Sequence, residues 1–273
     1  MPGSRGLPAL LLAGLIALSV STRAEAQESV RLYAAGSLRA ALNELSAAYA
    51  AAGGVAVAGT FGPSGLLRER IEKGEPAEVF ASADMGHPRR LAEAGRGGPV
   101  RLFARNRLCA LAGPAFRVDT ANLLERMLDP KVKLAISTPG SDPSGDYAWG
   151  LFGRAEAVRT GARVALEAKA LKLTGGPNSP PPPKDRSQYG QLVAEGQADL
   201  FLTYCTNAQQ ARSENPALQV VQVPEALAVG ADYGLLVLKG AQPQAERLAA
   251  FVLSQPGQAI LARHGFAPGE VQP

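Results

Sequence analysis

Histidine and cysteine are scarce: the chain of 273 residues has two of each. His87, His264, Cys109 and Cys205 are too few for a protein metal cage, which takes three or four such ligands. Few histidines also narrow catalysis. Ser64, His87 and Asp84 could be imagined as a hydrolase relay, but Ser64 sits in "GPSGL", not in the G-x-S-x-G elbow that exposes a nucleophilic serine. Neither a G-x-x-x-x-G-K-[ST] phosphate loop nor a G-x-G-x-x-G fingerprint occurs. Basic residues exceed acidic ones by only four and are dispersed, without the clustered stripe of a nucleic-acid surface. These absences argue against an enzyme and a nucleic-acid binder, and no cofactor is expected.

The first 26 residues read as a secretory signal peptide. Arg5 gives a basic start, Leu7 to Val20 a mostly apolar run of 14 residues, and Ala24 to Ala26 a small-residue cleavage pattern. That run is short of the roughly 20 residues a membrane span needs, and no cysteine follows it to carry a lipid. The mature chain is expected to begin at Gln27 and to reside in the periplasm. Disulfides persist there, so Cys109 and Cys205 can form one bridge or stay two buried thiols. Without Arg5, Arg23 and Glu25 the formal net charge falls from +4 to +3, a mild positive field that could help attract a small anion.

Strand and helix signals alternate along the rest. "SVRLYAA" is a strand; the helix from Ser37 to about Ala52 repeats apolar residues at Leu38, Ala41, Leu42, Leu45, Ala48 and Tyr49, the spacing of one buried face. "VAVAGTF", "SGLLRERIEKG", "AEVFASAD" and "PRRLAEAG" continue a βαβαβ order, which implies parallel strands. A second set begins near Arg105 with the strand "NRLCALAG". It continues with a Thr-capped helix in "TANLLERMLDP", the strand "VKLAIST" and a helix entered by "PSGDYAWGLFG". "EAVRTGARVALEAKALKL" is expected to be mostly helical, "SQYGQLVAEG" a short helix, and "ADLFLTY", "ALQVVQVP" and "YGLLVLKG" strands; two helices close the chain. "GGPNSPPPPKD" stands apart: four consecutive prolines favour a stiff extended segment at Pro177 to Pro183, read as a surface loop.

Three serines recur where a strand gives way to a helix: Ser37, Ser64 and Ser144. Each is an N-cap candidate. A helix N-terminus carries unpaired N–H groups and partial positive charge, so serines there, beside small residues, suit an anion without a charged side chain. In open parallel sheets ligands sit at the carboxyl ends of strands. Two of the serines belong to the first set and one to the second, so they are expected to face one another across a cleft.

The segments "YAAGSLRAAL", "FGPSGLLRERIEKGEPAEVFASAD", "DPSGDYA", "VAEGQADLFLTY" and "FVLSQPGQAILARHGF" resemble the periplasmic substrate-binding proteins of molybdate ABC transporters. The resemblance implies an α/β, two-lobed periplasmic binding protein fold (type II), each lobe a mostly parallel sheet flanked by helices. Lobe 1 is expected over 27–104 plus 231–273 and lobe 2 over 105–230, with hinges near Ala104 to Asn106 and Ala228 to Tyr233. It implies a monomer that closes over a dehydrated tetrahedral oxyanion, molybdate or tungstate, and delivers it to a membrane permease.

By that resemblance Ser37 and Ser64 match the two ligand serines and Tyr204 the ligand tyrosine. Ser144 stands where the family usually has an alanine that gives a backbone N–H. The loop before "VAEGQADLFLTY" departs by its proline run and brings Arg186 and Ser187 to the pocket; Arg186 would either make a charge-assisted contact or point to solvent. A Cys109–Cys205 bridge would staple lobe 2 beside the cleft. Neutral donors in a dry site favour a fully ionised guest, because a proton on the ligand leaves a donor unmatched. The rival cargoes are sulfate, a small organic anion, and iron held by tyrosines drawn from Tyr147, Tyr189, Tyr204 and Tyr233.

Overall fold

The computed structural model describes residues 29–183 and 186–269; the expected signal peptide lies outside them. The chain begins with strand β1 (Val30–Ala35), a 3-10 turn (Gly36–Leu38) and helix α1 (Arg39–Ala51), followed by β2 (Val57–Gly62), α2 (Ser64–Glu72), β3 (Val79–Ser82) and α3 (Gly86–Glu93). The long strand β4 (Arg101–Ala112) leads to α4 (Leu123–Leu128), β5 (Leu134–Ser137), α5 (Pro143–Val158), α6 (Ala162–Lys169), β6 (Leu171–Thr174), α7 (Gln188–Ala194), β7 (Leu200–Tyr204), α8 (Cys205–Glu214) and β8 (Gln219–Gln222). The chain returns through β9 (Gly230–Val237), α9 (Pro243–Leu253), α10 (Gln255–Arg263) and the short β10 (Ala267–Pro268).

The result is a mixed α/β fold: one curled sheet, in the order β2-β1-β3-β9-β4-β7-β5-β6, flanked by helices. β1 runs parallel to β2 and β3, and β5 parallel to β6 and β7. β9 and β4 run antiparallel to their neighbours. Strands covered on both faces read as continuous apolar runs, as in "VFAS" of β3 and "LFLTY" of β7, every residue of which is buried. Helix α1 turns Ala41, Leu42, Leu45 and Tyr49 to the core.

β4 connects two groups of strands. Its first half, Arg101 to Arg107, pairs with β9, and its second half, Leu108 to Ala112, with β7. The sequence predicts a strand only from Asn106, because Arg101 and Arg105 break the apolar pattern before it. Arg101 and Arg105 instead lie at the surface in ion pairs with Glu246 and Asp232.

Other expectations are corrected. The helix after Thr120 starts at Leu123; Asn122 holds the cap position and exchanges hydrogen bonds with Asp119, while the Thr120 hydroxyl bonds the Gln222 carbonyl. The long helix expected after Glu156 breaks at Gly161, whose φ of 81° favours glycine, and its tail is β6. Helix α8 was not expected at all; its buried face is Cys205, Thr206, Asn207, Ala208 and Ala211, too small and polar to show an apolar stripe.

The two strand groups touch at the start of α2. The Gly65 N–H donates to the Ser141 carbonyl at 2.9 Å, and a Cβ on Gly65 would lie 2.7 Å from the backbone oxygens of both Gly140 and Ser141. Backbone cannot swing aside as a side chain can. Gly65→Ala is therefore expected to lower stability by about 1–3 kcal/mol, measured by denaturant unfolding.

Candidate functional site

A cavity of about 540 Å³ opens where strand ends from both groups converge. Ser37 follows β1, Ser64 follows β2, Ala83 follows β3, Asp142 lies between β5 and α5, Gly175 follows β6, and Tyr204 ends β7; all line it. Five of the six residues expected to bind ligand meet here: Ser37, Ser64, Arg186, Ser187 and Tyr204.

Hydrogen bonding decides what each can offer. Ser64 is 1% exposed, and its Oγ accepts the Ala83 N–H at 3.1 Å. With the oxygen so engaged, the hydroxyl proton is available to the cavity. Ser37 Oγ lies 3.1 Å from Tyr233 Oη, and Asn106 Nδ2 donates to that Tyr233 oxygen at 3.4 Å and to Thr206 Oγ1 at 2.9 Å. Either hydroxyl can donate in the Ser37–Tyr233 bond; when Tyr233 donates, the Ser37 proton is left for the cavity. Ser187 caps α7 by accepting the Gly190 N–H, while its own N–H donates to Glu214; its hydroxyl proton is likewise free. Tyr204 differs. Its O–H donates to the Ala83 carbonyl at 3.3 Å, so in this state it offers the cavity an acceptor and a ring face.

Ser144 is not brought to the cavity wall. It is fully buried, its Oγ has no partner among the described residues, and its N–H donates to Asp142 Oδ1 at 3.0 Å. None of the three serines is an N-cap: Ala35, Pro63 and Asp142 hold the positions expected for Ser37, Ser64 and Ser144. The proline segment, expected as a surface loop, has Pro177 and Pro180 to Pro183 exposed or half-buried along one wall of the cavity.

Charge beyond the expected Arg186 accompanies the neutral donors. Arg39, half-buried with its guanidinium 4.8 Å from the centre of the Phe61 ring, lines the cavity. Burial lowers its pKa. Arg186 is exposed and lines it too. Asp142 places a carboxyl in the same space.

The rival chemistries find weaker geometry. Tyr204 lies with its ring centre 6.3 Å from Tyr147 and 5.5 Å from Tyr233, so three of the four tyrosines do cluster. Burial pushes the phenols of Tyr204 and Tyr233 well above their ordinary range, and both hydroxyls are hydrogen-bonded. That opposes the phenolate an iron site uses. The imagined relay is not assembled either: Ser64 Oγ accepts the Ala83 N–H, and the His87 ring is 4.0 Å from Asp84 with Nε2 unpartnered among the described residues.

Cys109 on β4 and Cys205, the residue after Tyr204, form a disulfide with Cα atoms 4.8 Å apart. The bridge fixes the start of α8 to β4, one residue beyond Tyr204 in the chain.

The chain is 35% identical over 243 residues to an uncharacterized protein of Pasteurella multocida, covering 88% of this chain and 98% of that one. It is 29% identical over 273 residues to the molybdate-binding protein ModA of Mycobacterium bovis, covering 95% of each. The fold matches that of the sulfate-binding protein SubI from Mycobacterium tuberculosis with a TM-score of 0.72 at 18% identity, over 88% of this chain and 86% of that one. With the bacterial extracellular solute-binding protein family matched across residues 30–267, from β1 to the first residue of β10, this chain belongs to that family.

Proposed function

We propose that the protein is a periplasmic binding protein that captures a tetrahedral oxyanion, molybdate or tungstate before others, and delivers it to the permease of an ABC transporter without catalysing a reaction. One observation carries this reading: the hydroxyls of Ser37 and Ser64, from separate strand ends, meet in one cavity, Ser64 with its oxygen engaged by the Ala83 N–H and Ser37 in a bond to Tyr233 that can leave its proton free. The likeness to a molybdate-binding relative supports molybdate as the first cargo to test. In this account the lobes are 27–104 plus 231–273 and 105–230. β4 and β9 cross between them and flex near Ala104 to Asn106 and Ala228 to Tyr233, and the Tyr233–Ser37 contact ties that crossing to the ligand. Ser187 and Arg186 join the site from the second lobe; Tyr204 joins it if closure redirects its proton from Ala83.

Size favours a second reading within the same class. Four oxygens of about water size occupy only ~120 Å³, while the cavity holds about 540 Å³. A small organic anion, with its charged head at the serines and its remainder along the proline wall, would fill it better.

A thermal-shift screen of the mature protein separates these. Molybdate and tungstate are expected to raise the melting temperature, by an amount equivalent to ~2.7 kcal/mol at a hundred times Kd. A shift with organic anions alone favours the second reading. A chain that no anion stabilises, or one that colours with ferric iron, contradicts both.

A further inference from the structure

An anion pocket with a carboxyl in its wall poses an electrostatic problem. Asp142 lines the cavity, yet it forms no ion pair among the described residues. One of its oxygens, Oδ1, accepts the Ser144 N–H as the N-cap of α5. The other, Oδ2, lies over Gly175, also a cavity residue, so closely that a Cβ there would stand 2.5 Å from it. The groups around it are mostly neutral. Tyr189 on α7 and Tyr204 on β7 line the same cavity, Ser137 ends β5 with its hydroxyl bonded to Thr174 Oγ1, and Asp146 on the helix that Asp142 caps adds negative charge. Arg39 from α1 and Arg186 line the same cavity without pairing to it. An ionised Asp142 would repel an incoming anion across a space of low dielectric, whereas a protonated one is a hydrogen-bond donor.

Resting on the oxyanion reading above, we propose that Asp142 is a recognition group of the cavity that meets the anion through a shared proton, so that capture of a fully ionised oxyanion takes up one proton from solution. The free protein is poised for this. Burial pushes the carboxyl up to about 6, opposed by the bonds from Ser144 and Ser137 and helped by Asp146. The negative guest raises it further. Linkage fixes the sign: a group whose pKa rises on binding makes affinity constant below its free value and lower above it, by tenfold per pH unit at most. An anion that carries its own acidic proton, such as hydrogen phosphate, would share that proton with ionised Asp142 and need none from solution.

The test is titration calorimetry of the wild-type protein with molybdate, sulfate and phosphate between pH 6 and 8, in two buffers of different ionisation enthalpy. Molybdate or sulfate is expected to bind with uptake approaching one proton at pH 7.5 and to lose close to tenfold in affinity per unit. Phosphate, if it binds, is expected to show no such uptake. Asp142→Asn keeps the Oδ1 acceptor for Ser144 and presents an N–H donor. It is expected to abolish the slope and to bind molybdate up to about a hundredfold more tightly than wild type at pH 8. Asp146→Asn, changing the neighbouring carboxyl, is expected to keep the wild-type slope. Should Asp142→Asn fail to fold, the wild-type proton count stands alone as the test. Tight molybdate or sulfate binding that is flat with pH and takes up no proton overturns the role of Asp142 and leaves the oxyanion reading intact. Failure of every anion to bind at any pH overturns both.

Discussion

Ser64→Ala is expected to weaken oxyanion binding by about 10- to 150-fold. A hydrogen bond to a charged group contributes about 1.5–3 kcal/mol, and each 1.4 kcal/mol is tenfold in affinity. The Ser64 proton is free to make such a bond because its oxygen already accepts the Ala83 N–H. The same change leaves that buried N–H without a partner, so a stability loss of about 1–3 kcal/mol accompanies it. Ser37→Ala should lower affinity by a similar factor with less effect on stability, since Ser37 is only half-buried. Calorimetric titration of each variant with molybdate checks both, with denaturant melts separating binding from folding. Wild-type affinity in either variant removes that serine from the site.

Replacing both cysteines with alanine is expected to cost about 2–5 kcal/mol of stability. The bridge joins residues 96 apart in sequence, and the chain-entropy account puts a loop of that length near ~4.7 kcal/mol. At about 2–4 °C per kcal/mol for a chain of this size, the melting temperature should fall by roughly 5–20 °C. Because Cys205 directly follows Tyr204, the loosened strand end should also weaken anion binding. Mass spectrometry of the unreduced exported protein should find Cys109 and Cys205 linked. Two free thiols, or a variant that melts with wild type, would contradict the role given to the bridge.

The doubly covered strands β3, β5 and β7 were legible in the sequence because burial on both faces leaves little but apolar or small residues in a row. The positions of Ser37 and Ser64 were legible for a related reason: a strand that stops at Gly, Pro and Ser before an amphipathic run marks the strand end where ligands gather. What spacing does not give is which of several consecutive residues turns toward the cavity. In "DPSG" the serine has the expected spacing, yet Asp142 caps the helix and lines the cavity while Ser144 turns inward. Arg39 gives no signal on sequence, where it is one charged residue on a helix; only the fold shows it beside Ser37 at the cavity wall. The proline run read as surface because no periodicity ties it to a core. Its place beside the site comes from β6 ending at Thr174 and α7 starting at Gln188, with Gly175 just past the strand and Gln188 at the helix start both lining the cavity.

Soaking or growing crystals with tungstate gives the most direct test, since the heavy atom's anomalous signal locates the guest without interpretation of side chains. The account predicts one strong peak in the cavity, with oxygens of the anion within about 3 Å of Ser37 Oγ and Ser64 Oγ. A peak elsewhere on the molecule, or a cavity that stays empty at saturating tungstate while the protein is folded, would contradict it.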